Sequence, residues 1–111
     1  MTLSYIEVTD SAEQPVIMDQ PQLYMIRADK IIEFKLPEDL KIGDIFSLIN
    51  AKGGWRLNLG IKDAKWLQAP ELNYHQFLNG KEEGDAISFV YTGNHSFMID
   101  AMFGIIGYEN E

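Results

Sequence analysis

The chain has 111 residues, 17 of them acidic and 9 basic, which gives a formal net charge of −8, and it has no cysteine. This length fits one domain with a core of its own, and the lack of cysteine excludes disulfides, thiolate metal sites and thiol catalysis. A net-acidic surface repels phosphate backbones and anionic lipids, so we expect no nucleic-acid partner and no membrane insertion. No basic segment with an apolar run follows Met1, and no stretch approaches the roughly 18 apolar residues of a membrane span, so neither a signal peptide nor a transmembrane segment is predicted.

Short runs of Val, Ile, Tyr, Phe and Trp alternate with Gly, Pro, Asn and Asp along the whole chain, which is the pattern of an all-β protein. In chain order, alternating polarity first predicts a strand over residues 3–9. A brief edge segment follows over residues 16–18, because prolines flank it on both sides. We therefore interpret residues 1–22 as an N-terminal arm or as edge strands.

The next strands, over residues 23–27 and 31–36, are predicted to form a hairpin across residues 28–30. Pro37 ends the second strand, because proline has no N–H to donate to a sheet. Residues 37–44 begin with proline and carry acids in the first positions, which favours a single helical turn.

A second hairpin is predicted to join strands over residues 45–49 and 55–59. The five residues between them, 50–54, include Gly53 and Gly54, either of which can adopt the positive φ that a reversal needs.

Residues 64–68 predict a short strand around Trp66, whereas residues 70–78 fit either a strand or an irregular loop. The pair Asn79-Gly80 is a strong turn signal and predicts that the chain reverses there.

A third hairpin is predicted from strands over residues 86–92 and 96–102, joined by residues 93–95. A last strand follows over residues 104–108, and residues 109–111 are predicted to be a free tail.

Two segments resemble each other: residues 43–49 align with 84–90 without a gap, and residues 55–58 then align with 97–100 after one insertion. Each half would comprise a Gly-Asp turn, an apolar strand, a polar loop and a return strand led by an aromatic residue. Two such hairpins facing each other would cover each other's apolar faces. No linker divides the chain, so the expected fold is a single domain over residues 1–111, an antiparallel β-sandwich or a jelly-roll-like variant of it.

Catalytic chemistry finds little support among the residues. His75 and His95 stand in unlike contexts and have no carboxylate at a ligand-like spacing. The adjacent acid pairs at 38–39 and 82–83 lie in predicted turns, where solvated charge is the simpler interpretation. There is no nucleophile elbow, phosphate-binding glycine loop or spaced calcium loop. The sequence therefore predicts no catalytic residue, metal site or cofactor, with an enzyme of unknown type as an alternative.

Aromatic side chains raise the alternative of sugar binding, because a flat ring suits the face of a pyranose. Trp55 occupies a position equivalent to Phe97 in the repeat, so both are predicted to lie in the core. Core packing is the favoured interpretation of the aromatic residues as a set, and the polar neighbours of Trp66 leave an exposed position open as its alternative. Trp66 and Tyr74 are therefore the candidate residues of a monomeric carbohydrate-binding module.

A set of strand and turn motifs resembles a β-rich module of bacteriophage tail-fibre and head-fibre proteins and of related bacterial surface proteins. The motifs are Ile32-x-Phe34-x-Leu36-Pro37, Ile42-Gly43-Asp44, Phe46-x-Leu48-Ile49, Gly54-Trp55-Arg56-Leu57, Gly84-Asp85-x-Ile87-x-Phe89-Val90-Tyr91 and Phe97-Met98-Ile99. The resemblance extends from Leu23 onward and contains turn glycines and strand hydrophobics without a catalytic signature.

The resemblance implies a non-enzymatic structural or adhesive protein, often trimeric, in a phage virion or at a bacterial surface. Expected partners are copies of the chain, other virion proteins or a host-surface glycan. Exposed sheet edges supply a physical reason for self-association, because neighbouring subunits can cover them.

The residues expected to contact a partner are Lys52, Gly53, Asn94 and His95, which the internal repeat places at corresponding hairpin tips at one end of the fold. An acidic inhibitor that imitates nucleic acid is a weaker alternative, because the charge density is low for such a mimic.

Overall fold

The computed structural model describes residues 5–109, and in this range it contains nine strands and one 3₁₀ turn, Pro70–Leu72. The strands are β1 (Tyr5–Val8), β2 (Val16–Ile17), β3 (Leu23–Lys35), β4 (Ile45–Asn58), β5 (Lys65–Trp66), β6 (Phe77–Gly80), β7 (Ala86–Gly93), β8 (Ser96–Phe103) and β9 (Gly107–Glu109). The protein is therefore all-β, as the β-branched and aromatic runs predict.

The strands form one mixed sheet, so the prediction of a purely antiparallel sheet is wrong. Its main order is β1-β3-β4-β7-β8-β5, while β2 pairs with β3, and β6 joins β4 to β9. β3 runs parallel to β1, β2 and β4, and β5 runs parallel to β8, whereas the remaining pairs are antiparallel. β1 and β2 lie at edges of the sheet, as the sequence indicates.

The two hairpins predicted in the first half of the chain are instead two long continuous strands. Residues 28–30 lie inside β3 and residues 50–54 inside β4, and the two strands run side by side from Leu23 to Asn58. Their register shifts between Ile26 and Ile31, so both strands bulge at the same place. A bulge uses the same glycine and polar residues as a turn, which explains why the sequence pattern predicts a reversal here.

The connection between β3 and β4 requires these strands to bend. From Lys35 to Ile45 the chain can span at most about 36 Å. Because Ser47 pairs with Leu23, a straight β3 would place Ile45 roughly 46 Å from Lys35, at about 3.3 Å per residue. As a result, the first halves of β3 and β4 pair with β1 and β7, and their second halves pair with β2 and β6. Residues 37–44 form this connection and contain no helical turn.

The core lies on the inner face of the bent sheet. Its largest fully buried side chains are Trp55, Trp66, Tyr24, Phe34, Phe46, Phe89 and Phe97. Tyr24 from the first half of β3 meets Phe34 from the second half edge-on, with ring centroids 6.0 Å apart. The Tyr24 hydroxyl donates a hydrogen bond to the Gln20 carbonyl at 2.9 Å, and burial raises the pKa of this phenol.

The prediction of a turn at Asn79-Gly80 is wrong, since both residues lie in β6. Gly80 packs against the Trp55 indole, and a Cβ at this position would lie 2.5 Å from the ring. The glycine is therefore needed for packing rather than for a reversal. The short strand around Trp66 is confirmed as β5, and residues 70–78 divide into the 3₁₀ turn, a loop and the start of β6.

The last predicted hairpin is confirmed by β7 and β8. Asn94 and His95 both have positive φ, 53° and 59°, which is the geometry of a two-residue type I′ turn. The final strand is shorter than predicted, and Glu109 is not in a free tail, because it ends β9 and accepts a hydrogen bond from Arg56. Residues 3–4 of the first predicted strand and 110–111 of the predicted tail lie outside the described residues.

The internal repeat is a local two-fold relationship between β4 and β7. Ser47 pairs with Ser88, its equivalent in the repeat, so the axis passes between these two serines. The flanking backbone hydrogen bonds obey the same symmetry: Gly43 N–H donates to the Tyr91 carbonyl at 2.9 Å, and Gly84 N–H donates to the Asn50 carbonyl at 2.7 Å.

The two Gly-Asp turns are also equivalent. The carboxylate of Asp44 accepts from the Lys41 N–H at 3.1 Å, and that of Asp85 accepts from the Glu82 N–H at 3.0 Å. The buried Asp85 carboxylate also accepts from the Ile105 N–H at 3.0 Å. Beyond these turns and strands the two halves differ, because β4 continues while β7 turns back, so the predicted pair of facing hairpins is wrong.

Candidate functional site

The four residues expected to share one end of the fold lie at opposite ends of the β4–β7 pair. Lys52 and Gly53 follow Ile49, which pairs with Ala86 at one end, whereas Asn94 and His95 lie beyond Val90 at the other. A two-fold axis between antiparallel strands exchanges their ends. Equivalent positions in the repeat are therefore far apart, and the expectation of one shared tip is wrong.

Lys52 and Gly53 have structural partners at the bulge of β3 and β4. The exposed Lys52 Nζ lies 2.6 Å from Asp29 Oδ1, and this ion pair lowers the pKa of the Asp29 carboxyl and raises that of the Lys52 amine. Gly53 has a φ of +97°, and a Cβ here would lie 2.6 Å from the Lys30 carbonyl oxygen. Gly53 thus allows the two strands to approach each other.

Of the two candidate sugar-binding aromatics, only Tyr74 is at the surface. Trp66 is 1% exposed, stacks on Phe97 with centroids 4.9 Å apart and meets Phe89 edge-on at 5.4 Å. Of the two interpretations of Trp66, the exposed one is therefore wrong, because β5 pairs with β8 and turns the indole into the core. Tyr74 is 57% exposed and follows the 3₁₀ turn with a φ of 67°.

His95 lies at the rim of a cleft of about 270 Å³, which Lys35, Leu36, Pro37, Glu38, Tyr91 and Gly60 also line. Its Nδ1 is 2.8 Å from Asp63 Oδ1, and both side chains are more than half exposed. Of the four predicted tip residues, His95 alone lines this cleft, and its neighbour Asn94 is exposed in the adjoining turn.

A larger surface, which the sequence interpretation missed, covers the outer face of the first halves of β3 and β4 with their neighbours β1, β7 and β8. Directly paired residues share a face of a sheet, and here they form three rows. The rows are Ile45, Val90 and Met98; then Tyr5, Leu23, Ser47, Ser88 and Ala101; then Glu7, Met25, Ile49, Ala86 and Phe103. None of these residues is buried, and we call this surface the apolar face.

The apolar face is almost free of charge. Its centre is a groove of about 200 Å³ between Leu23 and Phe103, and the groove is lined almost wholly by apolar atoms. The two serines on its floor bond to each other, with Ser47 Oγ donating to Ser88 Oγ at 2.8 Å, so they present little polarity to a partner. Glu7 at one edge is the single charged residue of the rows, and Arg27 neutralises it at 3.1 Å.

The size of the apolar face distinguishes it from scattered surface hydrophobics. Five strands about 4.8 Å apart and three rows about 6.8 Å apart give roughly 24 by 20 Å, on the order of 500 Å² in projection. Contiguous apolar patches of this size commonly mark interaction surfaces. A signal for this face is present in residues 45–49 and 86–90, which are apolar or small at successive positions, as in strands covered on both faces.

The outer face of the second halves of β3 and β4 is polar instead. Arg56 lies at its centre and makes two hydrogen bonds: its Nε donates to Glu109 Oε1 at 2.7 Å, and its Nη1 donates to Glu33 Oε2 at 3.2 Å. Its guanidinium also lies over the Phe77 ring, 3.8 Å from the ring centroid. Asn79 Nδ2 donates to the other Glu109 oxygen at 3.1 Å. An open hollow of about 300 Å³ adjoins this network, and we call it the polar hollow. Its lining includes Gln14, Pro15, Glu33, Arg56, Asn58 and Phe77.

Comparison with known proteins adds no relative: no protein-family model matches the chain, and no curated protein matches it significantly. Over residues 5–109, no three or more His, Cys, Asp or Glu side chains come together in a way that could hold a metal ion. In the same range, no helix has the length and apolar character to cross a membrane.

Proposed function

We propose that the chain is a non-enzymatic structural protein, a small fibre or decoration subunit of a phage particle or bacterial surface, which assembles with copies of itself. The resemblance to fibre modules implies this role and favours a trimer. The observation that carries the proposal is the apolar face, because water-exposed apolar rows on a rigid sheet gain free energy when another surface covers them.

Charge favours a second copy of the chain as the occupant. Because every copy carries a net charge of −8, contacts elsewhere on the surface tend to bring like charges together. The apolar face carries few charges: Glu7 and Arg27 form an ion pair at the β1 edge, and the exposed Asp100 lies in the bulge of β8 at the opposite edge.

The area of the face indicates how strong the association is. Two copies that cover it bury on the order of 1,000 Å² in total, which is at the lower bound of specific interfaces. We therefore expect reversible, concentration-dependent assembly rather than an obligate oligomer, with further contacts supplied where the subunit docks on a larger particle.

For the fold, we propose that the bent sheet is a β-sandwich, in which the first and second halves of β3 and β4 belong to opposite layers. The edge-on contact of Tyr24 with Phe34 supports this arrangement. So does the hydrogen bond from Trp55 Nε1 to the Asp85 carbonyl at 3.1 Å. The loop at Asn94 and His95 then lies at one end of the sandwich, where we propose that it contacts the particle or a host-surface glycan.

A matched pair of substitutions tests the role of the apolar face. Ile45→Glu places a charge in its first row, where the side chain is 49% exposed, and Ile31→Glu makes the same change at a 41% exposed position in the second half of β3. Size-exclusion chromatography with light scattering should show that Ile45→Glu is monomeric, whereas the wild type and Ile31→Glu associate. Wild-type association retained in Ile45→Glu contradicts the proposal. A monomeric wild type favours the alternative of a carbohydrate-binding module.

A further inference from the structure

The polar hollow lies on the other half of the same two strands and takes no part in the proposed assembly. Its groups are fixed on a rigid base, because Glu33, Arg56 and Asn58 stand on paired strands and Arg56 is held by two carboxylates and the Phe77 ring. A site whose polar groups are already positioned loses little entropy when a ligand binds.

Several donors and acceptors of the hollow are not used by the described residues. A guanidinium has five N–H donors, and Arg56 uses two of them on Glu109 and Glu33. Asn58 Oδ1 accepts from the Gly60 N–H at 2.8 Å, and Gln14 Oε1 accepts from the Glu33 N–H at 3.0 Å. Because a backbone N–H can only donate, these bonds fix both amide orientations and leave the two NH₂ groups available to a ligand.

The hollow therefore offers NH₂ and guanidinium donors beside the second oxygen of Glu33, with the exposed Pro15 as an apolar wall. A sugar hydroxyl both donates and accepts, so a polyol can satisfy this mixed set, whereas a purely accepting or purely donating ligand cannot. The volume of about 300 Å³ equals roughly ten waters at about 30 Å³ each, which is room for one sugar ring.

Charge decides between neutral and anionic ligands. The network holds two acids, Glu33 and Glu109, against Arg56. Lys35, which pairs with Asn58 on the same face, balances the second acid, so the hollow is locally neutral within a chain of net charge −8. A carboxylate or phosphate ligand is repelled by the field of the whole chain, whereas a neutral one is not. We propose that the polar hollow binds one ring of a neutral saccharide. This binding does not depend on self-association.

The test is a two-dimensional ¹H–¹⁵N NMR titration of the whole chain with lactose, maltose, cellobiose and N,N′-diacetylchitobiose, and with N-acetylneuraminate as an anionic probe. We expect at least one neutral sugar to give saturable shifts of the Arg56 Nε–H and of the side-chain amides of Gln14 and Asn58. N-acetylneuraminate should leave these signals unchanged.

Three isosteric substitutions locate the binding. Gln14→Glu and Asn58→Asp keep the oxygen that accepts a backbone N–H and remove the NH₂ donor, so each should weaken saccharide binding about fivefold to tenfold, the usual effect of one lost hydrogen bond. Gln68→Glu makes the same chemical change at an exposed site after β5 and should leave binding unchanged.

Three results each overturn the proposal: no saturable shift with any neutral sugar, shifts that map away from the hollow, or tighter binding of the anionic probe. Unweakened binding in both Gln14→Glu and Asn58→Asp overturns it as well. The self-association measured for the wild type and Ile45→Glu is a separate readout, so failure of one proposal is distinguishable from failure of the other.

Discussion

Alanine substitutions at Gly43 and Gly53 distinguish the bulged continuous strands from the two hairpins that the sequence predicts. The two glycines have nearly the same φ, +96° and +97°. Alanine at such a φ costs about 1–2 kcal/mol at either site, and the entropy that alanine removes from the unfolded chain is the same for both. Gly43 has nothing within 4 Å of an added Cβ, whereas at Gly53 the Lys30 and Ala28 carbonyl oxygens lie 2.6 and 2.8 Å away.

These oxygens belong to the backbone of β3 and cannot move without disturbing the pairing, so Gly53→Ala should cost roughly 1–3 kcal/mol more than Gly43→Ala. Urea unfolding followed by tryptophan fluorescence measures both free energies of unfolding against the wild type. At about 4–8 °C per kcal/mol, the extra cost also lowers the melting temperature of Gly53→Ala by on the order of 10 °C relative to Gly43→Ala. Equal costs would refute the reasoning, because they would place Gly53 in an open hairpin loop.

Three further predictions concern single side chains. The Asp85 carboxylate accepts from two backbone N–H groups, and Asp85→Asn removes one of the two acceptors, so it should destabilise the fold by about 1–3 kcal/mol in urea unfolding. Asp44→Asn is the matched control: its site is half-buried and accepts one such bond, so the substitution should cost less. An equal or reversed order of the two costs contradicts the account. Tyr24→Phe should cost about 1 kcal/mol at neutral pH. Because burial raises the folded-state pKa of Tyr24, the wild type should lose stability as the pH rises above about 10, and Tyr24→Phe should lose less; parallel pH profiles contradict this. Because Lys52 lowers the pKa of the Asp29 carboxyl, Lys52→Ala should raise this pKa toward its ordinary value in an NMR titration. An unchanged pKa would show that the ion pair does not form in solution.

Local signals were sufficient where neighbouring residues decide the structure. The hairpin of β7 and β8 depends on Asn94 and His95, two residues that favour or tolerate the positive φ of a type I′ turn, and it is found where predicted. The short strand around Trp66 is also found, although the side chain faces the core. Which side chain of a two-residue strand faces the core depends on the strand that it pairs with, and the sequence does not identify that strand.

Long-range packing decided the features that were mispredicted. Gly53 and Gly80 look like turn residues, yet one allows β3 to approach and the other makes room for the Trp55 indole. Both reasons lie about 20 or more positions away in the chain, beyond the reach of local patterns. The parallel pairing of β3 with β4 requires both strands to bend, and the apolar face exists only once β1, β7 and β8 join them.

The central claim, that the chain is a self-assembling structural subunit, is tested most directly by sedimentation velocity of the unmodified protein over a wide range of concentrations. The account predicts a sedimentation coefficient that rises reversibly with concentration toward one closed oligomer, and that does not rise for Ile45→Glu. A single monomeric species at every concentration contradicts it.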